Sequence, residues 1–146
     1  MSNLPYALIM LAAGIGVPVL AAMNAQLGMR IGSPAAAALV LFSVAWIMGL
    51  VVTLTTGPQA LTQAPFQPPH LFLGGLLMAF YVLSVTYIGP KFGIGNAIFF
   101  VLLGQLISTA AIDHFGLFGA QVKPLALQRA AGLGLMTMGI LLAVRA

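Results

Sequence analysis

Five long apolar stretches fill almost the whole chain, at residues 5–29, 34–55, 71–88, 94–112 and 125–144. Each has about the 17–25 residues that a helix needs to cross a hydrocarbon core of ~30 Å. Inside hydrocarbon every backbone N–H and C=O must be paired within its own segment or within a closed barrel. The hydrophobicity here is continuous rather than alternating, which selects the helix. The sequence therefore predicts an all-α integral membrane protein, a five-transmembrane-helix bundle forming one domain over residues 1–146.

Charge and residue usage remove the other classes. Only 4% of the residues are charged, against about a quarter in a soluble domain, and those few stand between the stretches or near their ends. The net charge of +4 does not point to nucleic acid, because the positive residues are single and no basic run with interleaved aromatics occurs. Without cysteine there is no disulfide framework, thiolate nucleophile or thiolate metal site. Two histidines and one acidic residue are too few and too far apart in sequence for a metal centre, and no cofactor is expected. A nucleophile and its base cannot be placed at one depth in the bilayer, so an enzyme is the least expected class. The first stretch lacks a basic n-region and is longer than a signal-peptide core, so it reads as a retained span.

Turn chemistry falls where the spans should end. Ser33-Pro34 predicts an N-cap followed by proline at the first helical position. Gly57-Pro58 to Pro68-Pro69 is a surface loop with one interfacial helical turn expected from Gln59 to Ala64. Gly89 to Gly93 closes the third span, and Asp113-His114-Phe115-Gly116 to Lys123-Pro124 separates the last two. One membrane face then carries Lys123 and Arg129, the other Arg30, Lys91 and Arg145. Such a balance orients a protein weakly, so insertion in both directions and a single orientation with the Arg30 face cytoplasmic are both compatible with it.

Polar residues inside the spans are the candidate sites. Pro18 removes a helical hydrogen bond and frees the carbonyl of Gly14, which predicts a kinked or flexing first helix above Asn24 and Gln26. Those two amides either line a cavity or bond across to a neighbouring helix. Gln105, Ser108 and Thr109 share one face of the fourth span, and such a stripe packs against another helix or lines a wet pathway. Trp46 lies in mid-span rather than at headgroup level, either stacking on a substrate or packing between helices. Tyr81 and Ser84, on the same face of span three as Gly74, are candidates to supply a hydroxyl pair to the same space. Asp113, His114 and Arg129 read either as a proton relay or as an ion pair tying two helix ends. Span five has Ala130-x-x-x-Gly134 and a heptad pair, Gly132 and Gly139, and span two has Ala45-x-x-x-Gly49; these are packing faces, for helices of one subunit or, in span five, for a dimer seam.

Taken in order, Gly14-x-Gly16-x-Pro18, Asn24-Ala25-Gln26-Leu27-Gly28, Gly74-Gly75, Gly104-Gln105-Leu106, Asp113-His114-Phe115-Gly116 and Arg129-Ala130-Ala131-Gly132 resemble the YdcZ-type family. That family belongs to the drug/metabolite transporter superfamily and is distantly related to the small multidrug resistance pumps. The resemblance implies an inner-membrane half-transporter unit, completed by a second copy in inverted orientation to form an antiparallel homodimer, with a small-molecule site near the midplane. The Gly132 and Gly139 pair resembles the dimerising glycines of the small multidrug resistance pumps. Those pumps exchange protons for drugs at a glutamate in their first helix, and span one here has no acidic residue. The expected function is therefore small-molecule export by alternating access, with Asn24, Gln26, Trp46, Tyr81, Ser84, Gln105, Ser108 and Thr109 facing the cavity. The competing expectation is a non-transporting scaffold whose buried amides only join helices.

Overall fold

The computed structural model describes residues 4–145. Helix α1 runs over Leu4–Ile31, α2 over Pro34–Thr56, α3 over Gly74–Phe92, α4 over Ile94–Phe115 and α5 over Leu127–Arg145. All five are long and apolar enough to cross a membrane. Among the described residues no strand occurs.

The helix ends follow from local chemistry. Ser33 Oγ accepts the Ala36 N–H at 3.2 Å, and Pro34 occupies the first helical position, where its missing donor costs nothing. α3 continues through Pro90 to Phe92, past the stop the sequence suggested, because a proline in the last turn removes only one ladder bond. Gly93 then closes it, its N–H donating to the Gly89 carbonyl at 2.9 Å. The α2–α3 connection winds as 3-10 helix over Pro58–Phe66 and Pro69–Leu73, more than the single turn expected there. Arg30, Lys91 and Arg145 lie in the last turns of α1, α3 and α5, where a cation complements the helix dipole.

The helices form two compact units, Met1–Ile94 and Gly95–Ala146. In the first, α1 presents a stripe of small residues, Ala21, Ala25 and Gly28, with Asn24 among them, and all four are buried. Ala37 and Ala38 of α2 and Val82, Val85, Thr86 and Gly89 of α3 are buried as well, and Gly28 faces Thr86 and Ala37. In lipid no hydrophobic force drives helices together, so association depends on close van der Waals packing, which small residues permit. At Gly28 the helices approach closely: a Cβ there would lie 3.2 Å from Thr86 Cγ2 and 3.3 Å from the Pro34 Cα. Residues 4–16 of α1 are exposed on every side. Pro18 thus divides a free N-terminal half from an anchored C-terminal half.

In the second unit α4 ends at Phe115, and Gly116 adopts the left-handed conformation with φ 63°. A Cβ there would stand 2.6 Å from Val122 Cγ2. The turn is tied by the Lys123 N–H to the Asp113 carbonyl at 2.8 Å. Gly116→Ala should therefore destabilise the protein by about 1–2 kcal/mol, the ordinary cost of a side chain in that backbone region. A lowered midpoint in a thermal or dodecyl sulfate unfolding series is the expected reading.

Candidate functional site

The polar centre of the first unit is built by α1 and α3. Asn24 is 5% exposed and Thr86 3%, and Asn24 Nδ2 donates to Thr86 Oγ1 at 2.6 Å. Five residues before Thr86, the hydroxyl of Tyr81 is buried and has no hydrogen-bond partner. Tyr81 and Thr86 border a narrow void with Leu20, Ala21, Asn24, Val82 and Val85, too small to hold a water molecule. On its other side Asn24 opens on a groove of about 530 Å³ between α1 and α2, lined also by Leu20, Met23, Leu27, Val40, Leu41, Val44 and Ala45. Leu20 and Asn24 belong to both spaces and form the partition between them. None of these side chains is charged.

The structure gathers some of the expected residues and scatters others. Asn24 and Tyr81 come together, and Ser84 is half-buried on α3. Gln26 is exposed, because two residues along a helix is roughly 200° around its axis from Asn24. Trp46 is 67% exposed and does not line the groove, although its neighbour Ala45 does. In the second unit Gln105, Ser108 and Thr109 are exposed. Ser108 Oγ donates to the Gly104 carbonyl at 2.9 Å and Thr109 Oγ1 to the Gln105 carbonyl at 2.6 Å, so these hydroxyls are satisfied by their own helix. A Cβ at Gly14, Gly49, Gly132, Gly134 or Gly139 would meet nothing within 4 Å in its own unit. The tight packing runs instead through Gly28. Thr86 was not singled out from sequence; a hydroxyl at helical spacing from Val82 was the available signal, hidden among other apolar-compatible threonines.

At the second unit's turn, Arg129 Nη2 donates to Asp113 Oδ2 at 2.5 Å. His114 Nδ1 accepts the Leu125 N–H at 3.1 Å, and the imidazole stands edge-on to Phe115 with 4.8 Å between ring centroids. Both side chains thus fasten the entry into α5. Among the described residues no cluster of histidine, cysteine, aspartate or glutamate is arranged for a metal ion. Near the end of α3, Lys91 Nζ sits 3.5 Å from the Tyr87 ring centroid, a cation–π contact suited to the headgroup region.

A family model described as "Putative inner membrane exporter, YdcZ", of the drug/metabolite transporter group, matches residues 5–142. The chain belongs to the YdcZ family. Compared with curated proteins and with solved structures, it has no match. Membership spans all five helices, so the three-helix unit holding Asn24 and the α4–α5 unit are both parts of the YdcZ fold. It places the protein in the inner membrane and in a class of exporters rather than of enzymes.

Proposed function

We propose that this YdcZ-family protein exports a small molecule by alternating access, as an antiparallel homodimer in which two five-helix chains insert in opposite directions. The observation that carries the reading is Asn24, a buried amide placed between an open groove and a closed void in an otherwise apolar unit. Polar groups at such depth are expensive and tend to mark substrate paths. The division of α1 at Pro18 supports it, since a helix anchored at one end and free at the other can open and close a path. The near balance of positive charge between faces supports dual insertion. The open glycine face of α5 suits a close approach by the second copy.

On this reading Asp113, His114 and Arg129 hold the turn and carry no protons. Asp113→Ala should lower stability by no more than about 1 kcal/mol, as expected of a partly exposed ion pair, and leave export at the wild-type level. Loss of export with unchanged stability would return the trio to a coupling role.

The direct test compares the medium around cells that over-produce the protein with the medium around cells producing Asn24→Leu at equal membrane abundance, by untargeted mass spectrometry. Export predicts at least one metabolite enriched by the wild type and not by the variant; identical media would sink the reading. Dual insertion is read separately by placing a cysteine at Thr62, exposed in the α2–α3 connection, and labelling sealed vesicles from each side. Labelling from both sides is expected, and a single orientation would remove the antiparallel homodimer. The scaffold alternative has one observation of its own, the Asn24–Thr86 bond between helices, and it predicts unchanged media in the first test.

A further inference from the structure

Three bonds tie the end of α4 to the entry of α5, and they answer differently to protons. The Lys123 N–H donates to the Asp113 carbonyl at 2.8 Å; both groups are backbone amides and do not titrate. Arg129 Nη2 pairs with Asp113 Oδ2, and arginine and aspartate side chains keep their charges at any pH well above about 4. The third bond is the Leu125 N–H donating to His114 Nδ1 at 3.1 Å. A ring nitrogen accepts only while it carries no proton, so this bond requires a neutral imidazole with its hydrogen on Nε2. Between pH 5 and 8, where histidines change charge, it is the one of the three that can be lost.

The surroundings favour such a loss. His114 lies next to the last residue of α4 and is exposed, so protons reach it without crossing hydrocarbon. Its ring stands edge-on to Phe115, with 4.8 Å between centroids, a contact that keeps it beside the turn. Residues 120–126 form no regular structure, and Leu125 stands two residues before α5 begins at Leu127, where the helix ladder offers its N–H no acceptor. The other charged side chains of this unit are Asp113 beside His114 on α4, Lys123 in the connection, and Arg129 and Arg145 in the first and last turns of α5. Asp113 and Arg129 are engaged with each other. A protonated His114 turns an N–H toward the Leu125 N–H, and neither of two donors can accept.

We infer that His114 is a pH-sensitive latch on the entry to α5: neutral, it holds Leu125 against the end of α4, and protonated, it releases the 120–126 segment while the bonds of Asp113 to Lys123 and Arg129 keep the two helices joined. The bond is present at the higher pH and lost as pH falls through the titration of the imidazole. The ring takes up a proton and passes it to no other group, so the latch is independent of export and of the turn-holding role of Asp113 and Arg129.

The test is amide hydrogen exchange of the full-length protein in nanodiscs, followed at Leu125 at about pH 7.5 and about pH 5.5, on either side of most of the range in which histidines titrate, with the intrinsic pH dependence of exchange divided out. Protection of the wild-type amide should fall about two- to tenfold at the lower pH, the span of one neutral hydrogen bond. The fall should follow the His114 titration recorded by nitrogen NMR, which should also show the neutral ring protonated at Nε2. His114→Phe should leave Leu125 as unprotected at both pH values as the wild type is at the lower one. His114→Asn places a side-chain oxygen near the position of Nδ1 and should keep the amide protected at both. Asp113→Asn should retain the step, because the ion pair is not the sensor. Wild-type protection that does not change with pH would overturn the inference, as would a step that survives in His114→Phe or disappears in Asp113→Asn. A neutral ring protonated at Nδ1 would overturn it as well. Should His114→Phe fail to fold, the wild-type titration and His114→Asn decide the matter.

Discussion

Gly28→Leu is expected to dismantle the three-helix unit. The Cβ alone would stand 3.2 Å from Thr86 Cγ2 and 3.3 Å from the Pro34 Cα, and leucine adds three further carbons to that position. The threonine methyl belongs to a side chain buried to 3% exposure, and its Oγ1 is engaged by Asn24. The proline atom is backbone, held where it is by the Ser33 cap at the start of α2. Neither neighbour can yield without moving a helix, so α1 must separate from both partners along the stripe that joins them. Overpacking of this kind costs typically ~1–3 kcal/mol, a large share of the ~5–15 kcal/mol that holds a folded protein together. Gly28→Ala is the graded control, since shifts of a few tenths of an ångström would accommodate it. Size-exclusion profiles and dodecyl sulfate unfolding midpoints should rank wild type above Gly28→Ala and both well above Gly28→Leu. A leucine variant as stable as the wild type would mean that α1 does not pack on α2 and α3 as described.

Thr86→Val and Asn24→Leu should separate in function although they break the same bond. Each removes the 2.6 Å hydrogen bond between α1 and α3. Thr86→Val leaves the amide of Asn24 in place without its partner, at a cost of about 0.6–1.7 kcal/mol for such bonds in membranes. It also frees that amide for a ligand, so export should persist or rise. Asn24→Leu removes the amide itself, fills the partition between groove and void with hydrocarbon, and should abolish export while the small-residue stripe still holds the helices. A scaffold whose amide served only to join helices predicts the same loss for both variants. Quantifying the exported metabolite alongside unfolding midpoints decides between these outcomes, and equal loss of activity in the two variants would sink the assignment of Asn24 to the site.

Much of this is legible in the sequence. The Ser33-Pro34 boundary, the connection from Gly57 to Pro69, the break at Gly116 and the placing of Arg30, Lys91 and Arg145 at helix ends all depend on local backbone chemistry and appear where expected. The continuation of α3 through Pro90 was missed because a proline in a last turn and a proline after it look alike in sequence. Asn24 and Tyr81 stood out as polar groups in apolar spans. Thr86 did not, since a threonine can satisfy its hydroxyl on its own helix, as Thr109 does, and only the position of α1 shows that this one receives the Asn24 amide. The glycines of α5 drew notice by spacing, whereas Gly28, in the role that spacing suggested for them, looked like part of a turn.

The number of spans and their helical nature were determined by the sequence alone, and their ends to within a few residues. A hydrocarbon layer of given thickness, together with the demand that each backbone polar group be paired, leaves an apolar run of this length only one structure. The tertiary structure decided which side chains meet. A helix apolar on every face carries no hydrophobic stripe to say which side turns inward. Its rotation is set by how closely Ala21, Ala25 and Gly28 let it approach its neighbours. That rotation puts Asn24 beside Thr86 and Tyr81 and leaves Gln26, two residues away, on the outside.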